Sequence, residues 1–338
     1  MGHKIKPIVL LTNPVDASGM ALLKPHAEVR LAPAVDHATL RREAAAADVV
    51  IVRAFLPPDI FDHAPQLIAC VRQGAGVDLI PVESATAHGV IVSNVPGVNA
   101  QTVAEYCAAQ FLLHGRRIGR MDSTLRREGW AVARALADDV PELHGKTVGI
   151  VGVGHIGARL AAICHHGLGM RILGYQRRLD RLPAIVESAA LDRIFTDSDF
   201  IALCCPLTPE TRHLVDARRI ALMKPAAVLV NVSRGPVVDQ AALVAALRER
   251  RIGGAGLDVF EQQPLPPGNP LFALDNVVLT PHLAGLSVES MERMSVVAAE
   301  DTLRILAGGK PVNFINPEVW PAAQKRRAGI EASTEAMK

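Results

Sequence analysis

Aromatic residues are scarce in this chain: two Trp, two Tyr and eight Phe among 338 residues. Nucleic-acid surfaces interleave aromatics with clustered Lys and Arg. Here the pairs Arg41–Arg42, Arg116–Arg117, Arg126–Arg127 and Arg177–Arg178 are scattered, and the formal net charge is only +2. No nucleic-acid partner is expected. Cysteine is also sparse: Cys70, Cys107, Cys164, Cys204 and Cys205 form no CxxC. Neither a disulfide framework nor a zinc site is implied, and no metal is expected. Buried, reduced thiols in a cytoplasmic protein fit this usage. No apolar run approaches the roughly 18 residues that a membrane-spanning helix needs. The opening MGHKIKPIVLL lacks a signal-peptide core and cleavage site. Lys6 breaks the myristoylation pattern that Gly2 would begin. Short-period repeats and low-complexity tracts are missing as well.

What is present is a globular composition, 49% hydrophobic and 21% charged, at a length suited to two domains. Short β-branched runs alternate with alanine-rich helical stretches. Strands are expected at KPIVLLT, AEVRLA, DVVIVRA, LIACVRQ and GVIVSNV in the first hundred residues. A second series reads KTVGIVG, MRILGYQ, DFIALCC, AVLVNVS, GAGLDVF and NVVLTP. Continuous apolar strands separated by helical spacing such as HATLRREAAAA imply parallel sheets covered on both faces. A long helical segment from about 99 to 128 and the linker-like GWAVARALADDVPELHG separate the two series. A last helix, about 288 to 307, precedes GGKPVNFINPEV, which could return the chain to the first domain. The tail from Pro321 has no clear period and is expected to fray.

The stretch TVGIVGVGHIGARLAAI contains Gly152, Gly154 and Gly157 in the spacing GxGxxG. Alone that motif is weak. Here it follows a buried strand and opens an amphipathic helix, within a βαβ unit closed by MRILGYQ, which is the context of a dinucleotide-binding turn. Free N–H groups at His155 and Ile156 and the positive helix end would hold phosphates. At the end of the next strand an NAD enzyme carries an acid for the ribose hydroxyls. Nineteen residues past Gly157 this chain has Gln176, then Arg177 and Arg178. A missing acid and two cations favour NADP, with NAD left open.

Ligands bind beyond the carboxyl ends of such strands. Three later strands deliver a notable group there: Arg234 after AVLVNVS, Asp258 with EQQP after GAGL, and His282 after NVVLTP. An arginine fork holds a carboxylate and polarises a carbonyl. A histidine gives or takes a proton near neutral pH. Those two functions, with a hydride from the cofactor, suffice to reduce a 2-keto acid.

The stretches VRQGAGVD, VNAQTVAE, GIVGVGHIG, PLTPET, NVSRGPVVD, GLDVFEQQP and NVVLTPH resemble, in content and order, the D-isomer-specific 2-hydroxyacid dehydrogenase family. The resemblance spans roughly residues 50 to 290. It implies an α/β fold of two doubly wound parallel-sheet domains, with a Rossmann cofactor domain (101–287) inserted into a flavodoxin-like substrate domain (1–100 and 288–338). It also implies a homodimer and an NAD(P)-dependent exchange between 2-keto and 2-hydroxy acids. Arg234 then matches the substrate-binding catalytic arginine and His282 the acid/base. His155 and Ile156 match the pyrophosphate-binding pair, and Asp258 the residue that binds the nicotinamide carboxamide. Thr102, Pro206, Val232, Ser233 and Gly285 match further cofactor contacts, whereas Arg53, Gly74, Ala75 and Gly76 match positions near the substrate carboxylate. Cys204 stands where a polar residue is common.

One departure matters most. The family's glutamate that orients the histidine falls on Gln263 here. An amide oxygen can orient imidazole but adds no charge to stabilise imidazolium. Glu261 is the alternative partner if its loop turns inward. With an amide partner, His282 is expected to lose its proton at lower pH, and reduction to fade from acid toward neutral pH. Two other activities stay open: formate oxidation, whose enzymes in this family also pair Gln with His, and nucleotide sensing without turnover, as in the family's corepressors.

Overall fold

The computed structural model describes residues 6–336. The opening MGHKI, part of the stretch read for a signal peptide, and the last two residues lie outside them. The chain forms two compact units, residues 6–99 with 287–336, and residues 100–286.

The first unit carries strands β1 (Ile8–Leu11), β2 (Glu28–Leu31), β3 (Val49–Val52), β4 (Ala69–Arg72) and β5 (Ile91–Asn94). They pair in parallel in the order β2-β1-β3-β4-β5, the flavodoxin-like arrangement. Successive side chains enter opposite faces, and both faces are covered. Val9, Leu11, Val49 and Ile51 pack with one helical layer, and Leu10, Val50 and Val52 with the other. The inner strands β1, IVLL, and β3, VVIV, are therefore unbroken apolar runs, whereas the edge strand β2, EVRL, is not. Asp16 and Asp36 cap the helices Ala17–Leu23 and His37–Ala44 by accepting from Ser18 N and Thr39 N. The segment after the helix Val288–Leu306 runs back to β5, where Asn316 Oδ1 accepts from Val92 N at 2.8 Å.

The second unit carries β6 (Thr147–Val151), β7 (Arg171–Tyr175), β8 (Glu187–Ser188), β9 (Phe200–Leu203), β10 (Val228–Asn231), β11 (Gly254–Leu257) and β12 (Val277–Leu279). Their order is β12-β11-β10-β9-β6-β7-β8, all parallel. The order reverses between β6 and β9, which makes the β6 end a ligand-binding switch point. The two-residue β8 is too short for a hydrophobic period and escapes sequence reading.

Three local expectations are corrected. The long helical segment is two helices, Ala100–Gly115 and Ile118–Glu128, broken at Arg117, whose φ of 51° no helix interior accepts. The linker-like stretch contains a further short helix, Trp130–Ala135. The tail does not fray after Pro321 but forms the helix Trp320–Ala336. It is fastened by tertiary contacts its period does not reveal. Arg326 donates to His88 O and Ala64 O, and Arg327 to Ile305 O and Leu306 O. Among the described residues no helix is long and apolar enough to cross a membrane.

Candidate active site

The turn after β6 is built by its three glycines in three different ways. Gly152 has φ 96°, and a Cβ there would lie 2.7 Å from Cys205 N. A Cβ at Gly157 would lie 2.5 Å from Gly152 O, so this glycine lets the helix His155–Ala162 pack onto the strand end. Around Gly154 nothing lies within 4 Å of such an atom. The first intrahelical bond runs from Ala158 N to Gly154 O, so the N–H groups of His155, Ile156 and Gly157 have no helical acceptor. No side chain caps this helix. Unpaired donors beneath open space fit a pyrophosphate.

At the end of β7, Gln176 turns its amide onto Arg178 O. Arg177 and Arg178 are exposed and make no ion pair among the described residues. They remain available to an anion.

The turn after β10 is wrapped by Asn231, which is 1% exposed. Its Oδ1 accepts from Ser233 N at 3.0 Å and from Ser233 Oγ at 2.7 Å, and its Nδ2 donates to Arg234 O. Arg234 Nη1 donates to Ser233 O at 2.7 Å, which folds the guanidinium back over its own turn. A Cβ on Gly235 would overlap the Phe260 carbonyl. Only glycine lets the arginine turn lie against the turn after β11.

Asp258, 2% exposed, ends β11 and organises the loop that carries His282. Its Oδ1 accepts from Thr280 Oγ1 at 2.6 Å and Leu283 N at 2.8 Å, and its Oδ2 from Ala284 N at 2.9 Å. A carboxylate has about four lone-pair sites, so one further donor can be taken. The Asp258 carbonyl accepts from His282 N at 2.9 Å. His282 itself is exposed and held at φ 54°. Its Nδ1 donates to Gln263 Oε1 at 3.1 Å, so Nε2 is the ring atom presented elsewhere. Glu261 does not take this place. Its Oε1 accepts from His213 Nε2 at 3.1 Å and from Gln240 N at 3.3 Å. The alternative that Glu261 stands in as the ring's partner is thereby corrected: the Gly235–Phe260 contact and the Gln240 bonds turn it the other way.

Thr102 lies half-buried in the first turn of its helix, Pro206 is exposed beyond β9, Val232 is half-buried directly after β10, and Gly285 is half-buried in the loop after β12. In the first unit, Arg53 N and Ala54 N donate to Thr12 Oγ1, and Arg53 Nη1 donates to Pro14 O. Burial pulls the Arg53 guanidinium down from its ordinary value. The loop Gly74, Ala75, Gly76 is held by Arg72, which donates to Gln73 O, Gly76 O and Val52 O, and by Asn94, which donates to Ala75 O. Among the described residues the N–H groups of Ala75 and Gly76 have no backbone acceptor. All five cysteines are free, and burial raises Cys164 to about 12 and Cys205 to about 11. Such thiols are unreactive.

Sequence reading missed Asn231, Thr280, Tyr106 and Arg72. Asn231 alone carried a signal, a polar residue closing an apolar run; Tyr106 and Thr280 meet across 174 residues, and Arg72 acts on backbone carbonyls, which any sequence supplies.

A family model described as D-isomer specific 2-hydroxyacid dehydrogenase, NAD binding domain, matches residues 108–284. A glyoxylate reductase of Korarchaeum cryptofilum is 39% identical over 327 residues, covering 93% of this chain and 97% of that protein. Among solved structures, an NADPH-dependent glyoxylate/hydroxypyruvate reductase of Sinorhizobium meliloti, in complex with NADP and malonate, superposes with a TM-score of 0.80. It is 29% identical and covers 92% of this chain and 97% of its own. An acyclic imino acid reductase in complex with NADPH and D-Arg gives a TM-score of 0.82 at 26% identity, covering 91% of this chain and 99% of its own.

Proposed function

This chain belongs to the D-isomer specific 2-hydroxyacid dehydrogenase family, and on that premise we propose that it reduces small 2-keto acids, glyoxylate first among them, preferring NADPH. It is an NAD(P)-dependent oxidoreductase acting on CH–OH. The observation that carries the proposal is the pairing of a dinucleotide turn with Arg234 and His282, which follow β10 and β12 on either side of β11.

The open space over Gly154 and the unpaired N–H groups of His155 and Ile156 fit the pyrophosphate. Arg177 and Arg178, with Gln176 in place of an acid, fit a 2′-phosphate. The remaining lone pair of Asp258 fits the carboxamide N–H, and Thr102, Pro206, Val232, Ser233 and Gly285 are assigned to the same cofactor. When bound, the nicotinamide supplies the hydride. Arg234 binds the carboxylate and polarises the keto group, and His282 gives a proton from Nε2 to the carbonyl oxygen. Gln263 holds Nδ1–H and so fixes the ring's tautomer. For Arg53 and the Gly74–Ala75–Gly76 loop, the unpaired N–H groups of Ala75 and Gly76 support a carboxylate-binding role.

The Gln263–His282 pair favours a second reading, formate oxidation, because that reaction needs no proton at the reacting atoms. A panel of 2-keto acids and formate, run with NADPH and NADH in parallel, separates the readings. Turnover of glyoxylate or hydroxypyruvate is expected. Formate-dependent reduction alone would select the second reading, and nucleotide binding without any turnover a sensing role. A cytoplasmic homodimer is the expected assembly, to be checked by light scattering.

A further inference from the structure

The His282 turn is braced from behind by a polar stripe that the chemistry above does not use. Tyr106, Gln110 and His114 recur every four residues on the helix Ala100–Gly115. A Cβ on Gly254 would lie 2.8 Å from His114 Nδ1, and one on Gly256 would lie 2.8 Å from Gln110 Oε1. Glycines on β11 thus let the helix bring polar side chains onto the strand. Four helical residues rise about 6 Å and two strand residues about 6.6 Å, so the rungs stay in step.

The next rung after Gly254 and Gly256 is Asp258, and there the contact runs through Thr280. Thr280 Oγ1 donates to Asp258 Oδ1, and the Tyr106 hydroxyl lies 2.6 Å from Thr280 Oγ1. A hydroxyl has one hydrogen, and that of Thr280 goes to the carboxylate. Tyr106 is therefore the donor to Thr280. Burial first, and the Asp258 charge after it, push the phenol up to about 12, so it keeps its hydrogen at working pH. Asp258 then takes Leu283 N and Ala284 N, and its carbonyl takes His282 N. Those bonds hold His282 in a left-handed conformation that a non-glycine residue rarely adopts.

We propose that Tyr106 is a positioning residue for His282: through Thr280 it fixes the Asp258 carboxylate in the orientation that braces the 280–284 turn. This rests on His282 being the acid of the proposed reaction. The test compares wild type with Tyr106→Phe, Thr280→Val and Thr280→Ser, by steady-state kinetics and by amide hydrogen exchange at Leu283 and Ala284. In Tyr106→Phe and Thr280→Val, kcat should fall about ten-fold, equivalent to one 1.4 kcal/mol step. Both amides should exchange faster. Thr280→Ser, which keeps the hydroxyl, should recover kcat, and the Tyr106→Phe/Thr280→Val double variant should be no worse than the poorer single. A role confined to stability would lower Tm and leave kcat and the two amides alone. Folded Tyr106→Phe with wild-type kcat and wild-type exchange overturns the proposal. If wild type turns over no keto acid yet the amides still loosen, the brace stands and the assigned chemistry falls.

Discussion

Nδ1 of His282 lies 3.1 Å from Oε1 of Gln263, so the candidate acid is oriented by an amide. Glu261, two residues earlier, faces His213.

Restoring a carboxylate at this point should change the pH range of activity. In Gln263→Glu a negative charge would stabilise imidazolium and raise its pKa. Keto-acid reduction needs the protonated ring, so its activity should persist to higher pH. A rise of one pKa unit would give about a ten-fold gain on the alkaline limb. Superimposable pH–rate profiles of kcat/KM for the two proteins would contradict this role for Gln263.

Arg234 is predicted to act on substrate and not on nucleotide. Arg234→Lys keeps the charge but loses the planar fork. A drop in kcat/KM for the keto acid of about 100-fold is expected, near the loss seen when one oxyanion donor is removed. NADPH affinity, read by fluorescence titration, should be unaltered.

The cations after β7 are predicted to choose the cofactor. Arg177→Ser with Arg178→Ser should raise KM for NADPH about ten-fold, or 1.4 kcal/mol, and leave KM for NADH where it was. Equal effects on both cofactors would show that the pair does not read a 2′-phosphate.

His114 makes the second unit sensitive to acid. Burial pulls its imidazole down to about 4 from an ordinary 6.5, and its Nε2 has no hydrogen-bond partner among the described residues. The unfolded chain therefore binds this proton before the folded one does. Its contribution is whole above pH 6.5 and is lost as pH falls toward 4, on the order of 3 kcal/mol. Urea midpoints at pH 7 and 4.5 should differ less in His114→Gln than in wild type.

Gly235→Ala should damage stability and chemistry together. The added methyl would overlap the Phe260 carbonyl, and overpacking against backbone costs about 1–3 kcal/mol or more. Because the displaced turn leads to Gln263, kcat should fall even in the fraction that remains folded by circular dichroism.

The two parallel sheets were legible in the residue pattern, because strands buried on both faces must be apolar at every position, as in β3, VVIV, and β9, FIAL. The phosphate turn was legible too, since its three glycines fall within six residues after an apolar strand. Short β8 and the helix Trp320–Ala336 were not legible: one is too brief to show a period, and the other is held by arginine contacts to distant carbonyls. The candidate site divides the same way. Residue type and strand-end position marked Arg234, Asp258 and His282. Which side chain of DVFEQQP meets the imidazole depends on long-range contacts, because Gly235 and Gln240 steer that loop from another part of the chain. Tertiary structure likewise joined Tyr106 to Thr280 across 174 residues, a hydrogen bond for which no local pattern exists.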